Sequence, residues 1–106
     1  MNASERFASI RKGLLEFAVL RVVLAHEAYA ADILARLSET EFRTQEGTLY
    51  PLLSKLRREE LVAYEWQESE NGPPRKYYRL THKGEKTLRD IESYLKEIIT
   101  TLKSIG

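Results

Sequence analysis

The stretch TQEGTLYPLLSKLRR, residues 44–58, decides the reading of this chain. Leu49, Leu52, Leu53 and Leu56 recur at i, i+3, i+4 and i+7, the spacing of one buried helix stripe. Thr44 is placed to cap the first turn through its hydroxyl, with Gln45 and Glu46 near the positive end of the macrodipole. At about 100° per residue, turning the leucines inward puts Gly47, Pro51, Ser54 and Arg58 on the opposite face, with Tyr50 and Lys55 on its flanks. That face is small, polar and cationic, and it carries no carboxylate before Glu59. Such a surface fits a DNA major groove, where phosphates repel acids and base edges accept hydrogen bonds. Taken alone, an amphipathic helix with Lys and Arg outside is more often an ordinary solvated surface helix. Pro51 is the anomaly. A proline past the first turn removes a backbone donor and strains the preceding turn, and local rules are often broken at functional sites.

The flanking segments give this helix its context. Upstream, Ser4 is expected to cap a first helix running from about Glu5 to His26. Phe7, Ile10, Leu14, Phe17 and Leu24 form one stripe on it, while Leu15, Ala18, Val19, Val22 and Val23 fill other sides. A helix apolar nearly all round needs cover on more than one face, so part of it is expected to pack against a partner subunit. Gly13 is a point where it could bend or let a neighbour approach. Glu27 and Ala28 form a short break. A second helix, roughly Tyr29 to Ser38, follows with Ile33, Leu34 and Leu37 facing in, and the polar loop SETEFR (38–43) is anchored by Phe42. Two short helices joined by a brief turn, the second with a cationic outer face, make a helix-turn-helix pattern.

After Glu60 the apolar period changes from 3.6 to 2. Val62, Tyr64 and Trp66 alternate with Ala63, Glu65 and Gln67, a half-buried strand. SENGPP (69–74) is a turn cluster, in which Asn71-Gly72 is expected to supply positive φ and the two prolines to stop the ladder. RKYYRL (75–80) is the return strand, with Lys76, Tyr78 and Leu80 on one face and Arg75, Tyr77 and Arg79 on the other. Taken alone, this hairpin reads as a stabilising ribbon with charged edges. Behind a helix-turn-helix it becomes a wing, whose cations can reach phosphates or a minor groove. Thr81 then caps a last helix continuing to about Ser104. On it Leu88, Ile91, Leu95, Ile98, Leu102 and Ile105 are spaced alternately by three and four, a heptad seam for packing along another helix. Packing on the first helix of the same chain is one way to cover that seam. A length of about 35 Å at 1.5 Å per residue exceeds what so small a head can cover, which favours dimerisation.

The chain of 106 residues, 42% hydrophobic and 31% charged, has the size and composition of one globular domain. The apolar run from Leu14 to Ala25 is broken by Glu16 and Arg21 and is too short to span a bilayer. The N-terminus lacks the order of a secretory signal, and the absence of cysteine fits a reducing compartment, so a cytoplasmic location is expected. Net charge is +1, which argues for nothing in bulk. Residues 75–89, however, hold six Lys and Arg against the single Glu85, a local balance of +5. Residues 62–72 carry Glu65, Glu68 and Glu70 and no base. A basic patch beside an acidic strand is a directional surface.

The segments GLLEFAVLRVV (13–23), EGTLYPLLSKLRREELV (46–62) and ESENGPPRKYYRLTHKG (68–84) resemble the PadR family of bacterial transcriptional regulators, in its short form with one C-terminal helix. The similarity covers nearly the whole chain. It implies a winged helix-turn-helix homodimer that represses transcription at an inverted-repeat operator, with the TLYP helix as recognition helix and the NGPPRK turn as wing. Two departures stand out. Where the family's second helix usually opens His-Gly-Tyr, this chain reads Glu27-Ala28-Tyr29 and retains the tyrosine alone. Drug-binding members stack flat aromatics on a tryptophan of the C-terminal helix, whereas Trp66 here lies in the wing strand.

The expected fold class is therefore mainly α with a β-hairpin. Residues 1–80 form a winged helix-turn-helix whose first helix also enters the dimer interface, and residues 81–106 form a C-terminal dimerisation helix. The expected function is a sequence-specific transcriptional regulator of double-stranded DNA, a homodimeric repressor released by a small-molecule effector. Thr48, Tyr50, Ser54 and Lys55 are expected to address the major groove, Arg75 and Lys76 to grip phosphate or the minor groove, and Arg43 and Arg58 to position the protein. The dimer seam is Leu88, Ile91, Leu95, Ile98, Leu102 and Ile105. An effector pocket is expected between the first and last helices, with Phe7, Phe17, Tyr94 and Leu95 as walls. A second reading stays open here: a winged-helix module that docks a protein through the same surface. Salt separates the two, because phosphate contacts release counterions and make affinity fall steeply with salt. Neither a phosphate loop, an HExxH motif nor a nucleophile elbow occurs, and His26 and His82 stand apart without a ligand motif. No enzyme activity, cofactor or metal is expected.

Overall fold

In the computed structural model, which describes residues 3–106, the leucine stripe of residues 46–58 lies at the centre of the core. The elements run α1 (Ala3–Arg6), α2 (Ala8–Ala25), β1 (Ala28–Tyr29), α3 (Ala30–Leu37), α4 (Glu46–Arg58), β2 (Val62–Ser69), β3 (Gly72–Leu80) and α5 (His82–Ile105). Leu49, Leu53 and Leu56 of α4 are fully enclosed, and Leu52 packs against them from the margin. They meet Val19, Leu20 and Val23 of α2, Ile33 and Leu37 of α3, Val62 of β2, Tyr78 of β3 and Leu88 of α5. Each such side chain taken fully out of water contributes about 1.5–3 kcal/mol, which is why the three-helix head and the hairpin fold around one centre.

The sheet has three antiparallel strands in the order β1-β3-β2. Val62 pairs with Leu80, Tyr64 with Tyr78 and Trp66 with Lys76, so Val62, Tyr64, Trp66, Lys76, Tyr78 and Leu80 share one face as the alternation predicts. The third strand was not expected. Ala28, read as part of a break, and Tyr29, read as the start of the second helix, pair with Tyr78 and Tyr77. A two-residue strand is too short to carry a period, so no alternation could announce it.

Several boundaries also differ from expectation. Thr44 does not cap α4: Gln45 is the N-cap and no side chain accepts a hydrogen bond there. Ser4 lies within α1 rather than ahead of a helix beginning at Glu5, and its side chain lies outside the described residues. The chain breaks at Phe7, not at Gly13, through which α2 runs unbroken. The α2 face that enters the core is Ala18, Val19, Leu20 and Val23, while Phe7, Ile10 and Leu24 of the expected stripe are exposed. A helix apolar on every side offers no period by which to choose its inward face. Nor does Gly72 take a positive φ; among the described residues that conformation belongs to Glu60, at φ 63°. Pro73 and Pro74 lie inside β3, where the register shift sets them against Glu68. A bulge tolerates residues that cannot donate to a ladder.

Glu60 closes α4. Its N–H donates to Arg57 O at 2.9 Å and that of Leu61 to Leu56 O at 2.9 Å, the double bond of a Schellman end built on a non-glycine residue. Thr81 then ties α5 to that end. Its hydroxyl accepts from Gly84 N at 2.9 Å, capping the helix as expected, and donates to Glu60 O at 2.6 Å. Gly84 is required there, since a Cβ would stand 2.0 Å from Leu61 O. The closing strand, the end of α4 and the first turn of α5 thus form one rigid junction.

Candidate nucleic-acid interface

The outward side of α4 carries Thr48, Tyr50, Ser54 and Arg58, all exposed, with Tyr50 at 49%. Pro51 sits among them and leaves the Gly47 carbonyl without its helical donor. The two flanks of this face go to different neighbours. Tyr50 and Arg57, seven residues and nearly two full turns apart, share the flank beside the hairpin. The Arg57 guanidinium stands 5.0 Å over the Tyr64 ring. Thr48 and Lys55 share the other flank, and Lys55 Nζ donates to Glu16 Oε1 on α2 at 3.1 Å. That hydrogen bond, and then the carboxylate's charge, hold the Lys55 pKa above its ordinary value.

The hairpin cations are set on aromatic rings. Lys76 Nζ lies 4.6 Å from the Tyr64 ring and 5.5 Å from that of Trp66, while Tyr64 and Trp66 meet edge to face at 5.8 Å. On the opposite face the Arg75 guanidinium stacks 3.9 Å over Tyr29, which in turn touches Tyr77 at 4.8 Å. Contacts of this kind at exposed sites contribute about 0.5–1 kcal/mol each, enough to limit where a long cationic side chain wanders. Tyr50, Trp66, Pro74, Arg75, Lys76 and Tyr29 line a cleft of about 280 Å³ between α4 and the hairpin. None of these lining residues is an acid, and burial of Tyr78 beneath it raises that phenol's pKa.

The structure therefore brings Tyr50, Arg75 and Lys76 together, and leaves Lys55 on the far flank, paired to α2. Arg58 stands on the outward face near Thr81 and the base of β2. Arg43, exposed at the end of the α3–α4 loop, lies beside Thr40 and Glu41, well away from the hairpin. Arg57, Tyr29 and Trp66 were missed as members of this surface. For Arg57 the signal was present, because a spacing of seven from Tyr50 places both on one flank.

The remaining expected sites separate in the single chain. Leu88 is buried within the head and is not available to a partner. Ile91, Leu95 and Ile98 are half-buried, whereas Leu102 and Ile105 are 65% and 75% exposed. Phe7 and Tyr94 are also exposed, and Phe17 packs on the core margin. The cleft of about 430 Å³ between α2 and α5 takes its walls from Glu16, Lys55, Lys83, Ile91 and neighbours, not from Phe7, Phe17, Tyr94 or Leu95. Among the described residues no group of three or more His, Cys, Asp or Glu is placed to hold a metal ion. No described helix is long and apolar enough to cross a membrane.

Comparison with known proteins gives this architecture its relatives. A PadR-like transcription factor from Bacteroides fragilis is 44% identical and superposes with a TM-score of 0.84, over 96% of this chain and 99% of that one. A PadR family regulator from Eggerthella lenta is 29% identical with a TM-score of 0.87, over 96% and 89%. A PadR-like regulator from Bacillus cereus is 30% identical with a TM-score of 0.77, over 92% and 95%. An uncharacterised protein of Lysinibacillus sphaericus is 30% identical over 95 residues, 87% of this chain and 81% of that protein. The fold is thus the winged helix of these regulators, and the family is one of transcription regulators, not of enzymes. Since the family model for the transcriptional regulator PadR-like family matches residues 19–90, from the core of α2 to the third turn of α5, the chain belongs to that family.

Proposed function

We propose that the protein is a homodimeric, sequence-specific DNA-binding repressor acting at an inverted-repeat operator and released by a small-molecule effector. The observation that carries this reading is the acid-free cleft at which Tyr50 of α4 meets Lys76 and Arg75 of the hairpin, with Arg57 beside it over the Tyr64 ring. Thr48, Tyr50 and Ser54 project where base edges in a major groove would lie, while the hairpin cations reach the adjacent backbone or minor groove. Arg43, Arg58 and Lys55 add phosphate contacts around the rim, which fix register but carry no sequence information.

Residues 1–80 then act as the DNA-binding head, with 81–106 as the dimerisation helix. The exposed apolar residues Tyr94, Ile99, Leu102 and Ile105, with Phe7 and Ile10 of the first helices, supply the surface that a second copy would cover. A two-fold pairing along α5 would set the two recognition helices about one DNA turn, ~34 Å, apart. The effector belongs at that interface, near Phe7, Phe17 and Tyr94, because a molecule bound there can favour one spacing of the heads over another.

Hydroxyl-radical footprinting on the DNA upstream of the protein's own gene tests this arrangement. The expected pattern is two protected half-sites about one turn apart and related by a dyad. A single unpaired protected stretch would contradict the dimeric reading, and uniform weak protection would contradict sequence specificity.

A further inference from the structure

Glu16 on α2 and Lys55 on α4 are 39 positions apart in sequence, yet Lys55 Nζ lies 3.1 Å from Glu16 Oε1. Both side chains are partly open to solvent, at 36% and 48%. The other charges acting on Lys55 are weaker and opposed: Glu59 attracts its ammonium and Arg58 repels it. In the free protein, then, a cation of the candidate recognition helix is engaged by a carboxylate from a helix that carries none of the groove-facing residues.

We propose that Glu16 is an internal competitor for Lys55: its carboxylate holds the ammonium against α2 in the free protein and yields it to a DNA phosphate on binding. This rests on the DNA-binding reading of α4. An ammonium is a point charge on a flexible four-carbon stem, so it can exchange one oxyanion for another without moving the helix. The exchange carries an electrostatic cost, because the carboxylate that pairs with Lys55 in the free protein loses that partner when the groove is occupied. An exposed pair of this kind contributes little to folding, so its effect appears in affinity rather than in stability. Because the acid stands on α2, whose Ile10 and Leu24 are exposed, a shift of α2 relative to α4 would alter how firmly Lys55 is held.

The test is a thermodynamic cycle in the full-length chain, with fluorescence anisotropy on a labelled duplex of arbitrary sequence at two salt concentrations. Binding by the unaltered protein is read first, and its complete absence at low salt would overturn both the DNA-binding reading and this proposal. Glu16→Gln is expected to bind roughly two- to fivefold more tightly, the range set by an exposed ion pair. Lys55→Gln is expected to bind more weakly, with the slope of log affinity against log salt reduced by about 1. The double variant should match Lys55→Gln alone. If Glu16→Gln gives the same gain in the Lys55→Gln background, the effect is one of net charge and the proposal fails. It also fails if Glu16→Gln leaves affinity unchanged or lowers it. Glu16→Ala provides a second replacement, and thermal melting of each variant confirms the fold.

Discussion

Replacing Gly84 by alanine puts a methyl carbon where the structure has no room for one. The added Cβ would stand 2.0 Å from Leu61 O and 2.8 Å from Leu80 Cδ1. The leucine tip can turn aside, but the carbonyl is fixed, because Leu61 O accepts from Thr81 N at 3.1 Å while the neighbouring Glu60 O accepts from the Thr81 hydroxyl at 2.6 Å. Restoring ordinary contact requires the first turn of α5 to retreat by more than about 1 Å, which lengthens both bonds. Overpacking of this kind costs about 1–3 kcal/mol, and weakening two hydrogen bonds adds about 1 kcal/mol each. The better helix propensity of alanine returns up to about 1 kcal/mol. The expected loss is therefore about 2–4 kcal/mol, or roughly 10–25 °C in Tm for a chain of this size. Thermal unfolding followed by circular dichroism, at one fixed protein concentration, measures it. Gly47→Ala is the control: a Cβ at Gly47 meets nothing within 4 Å, so Tm should hold or rise. A Gly84→Ala protein melting within about 3 °C of the parent would refute the argument that this close approach fixes α5 to the head.

Three further outcomes follow from the same geometry. Tyr50→Ala should weaken binding to the operator by about tenfold, roughly 1–3 kcal/mol, while changing non-specific binding much less, as competition assays with scrambled duplex would reveal. Equal losses on both would make Tyr50 a scaffold residue. Ile98→Asp combined with Leu102→Asp should leave the head folded but yield monomers in sedimentation equilibrium, since a charge on the apolar end of α5 opposes its burial; dimers persisting in that variant would place the interface elsewhere. Burial raises the Tyr78 phenol above its ordinary 10.0, so above that pH the unfolded chain releases a proton that the folded chain keeps. The unfolded state then binds fewer protons, and stability falls as pH rises past 10.0 and is unaffected below it. Melting of Tyr78→Phe should lack that part of the alkaline loss, and parallel curves for the two proteins would contradict the assignment.

The parts of the fold that were legible in sequence are those with a strong period and one buried face. The leucines of α4, the alternation of Val62, Tyr64 and Trp66, and the Thr81 cap all appear as read. What escaped was set by tertiary contact. Ala28 and Tyr29 become a strand because β3 lies beside them, and Tyr29 matters because Arg75 stacks on it. The positive φ expected at Gly72 appears instead at Glu60, where the packing of Leu61 on the end of α4 outweighs the steric preference against a side chain. For the candidate interface, sequence gave the residues of the outer helix face but not their neighbours. Helical spacing separates Tyr50 from Lys55, yet it does not say that one faces the hairpin and the other an acid on α2.

The central claim is that the α4 and hairpin surface reads DNA sequence. Its most direct test is titration of the protein onto its own upstream DNA and onto a scrambled duplex of equal length, each at two salt concentrations. Tight binding to the first at two protomers per site, weaker binding to the second, and a steep fall of both with salt as counterions return to the phosphates are expected. Equal affinity for the two duplexes with a shallow salt dependence would contradict that claim, and would assign the surface to a protein partner instead.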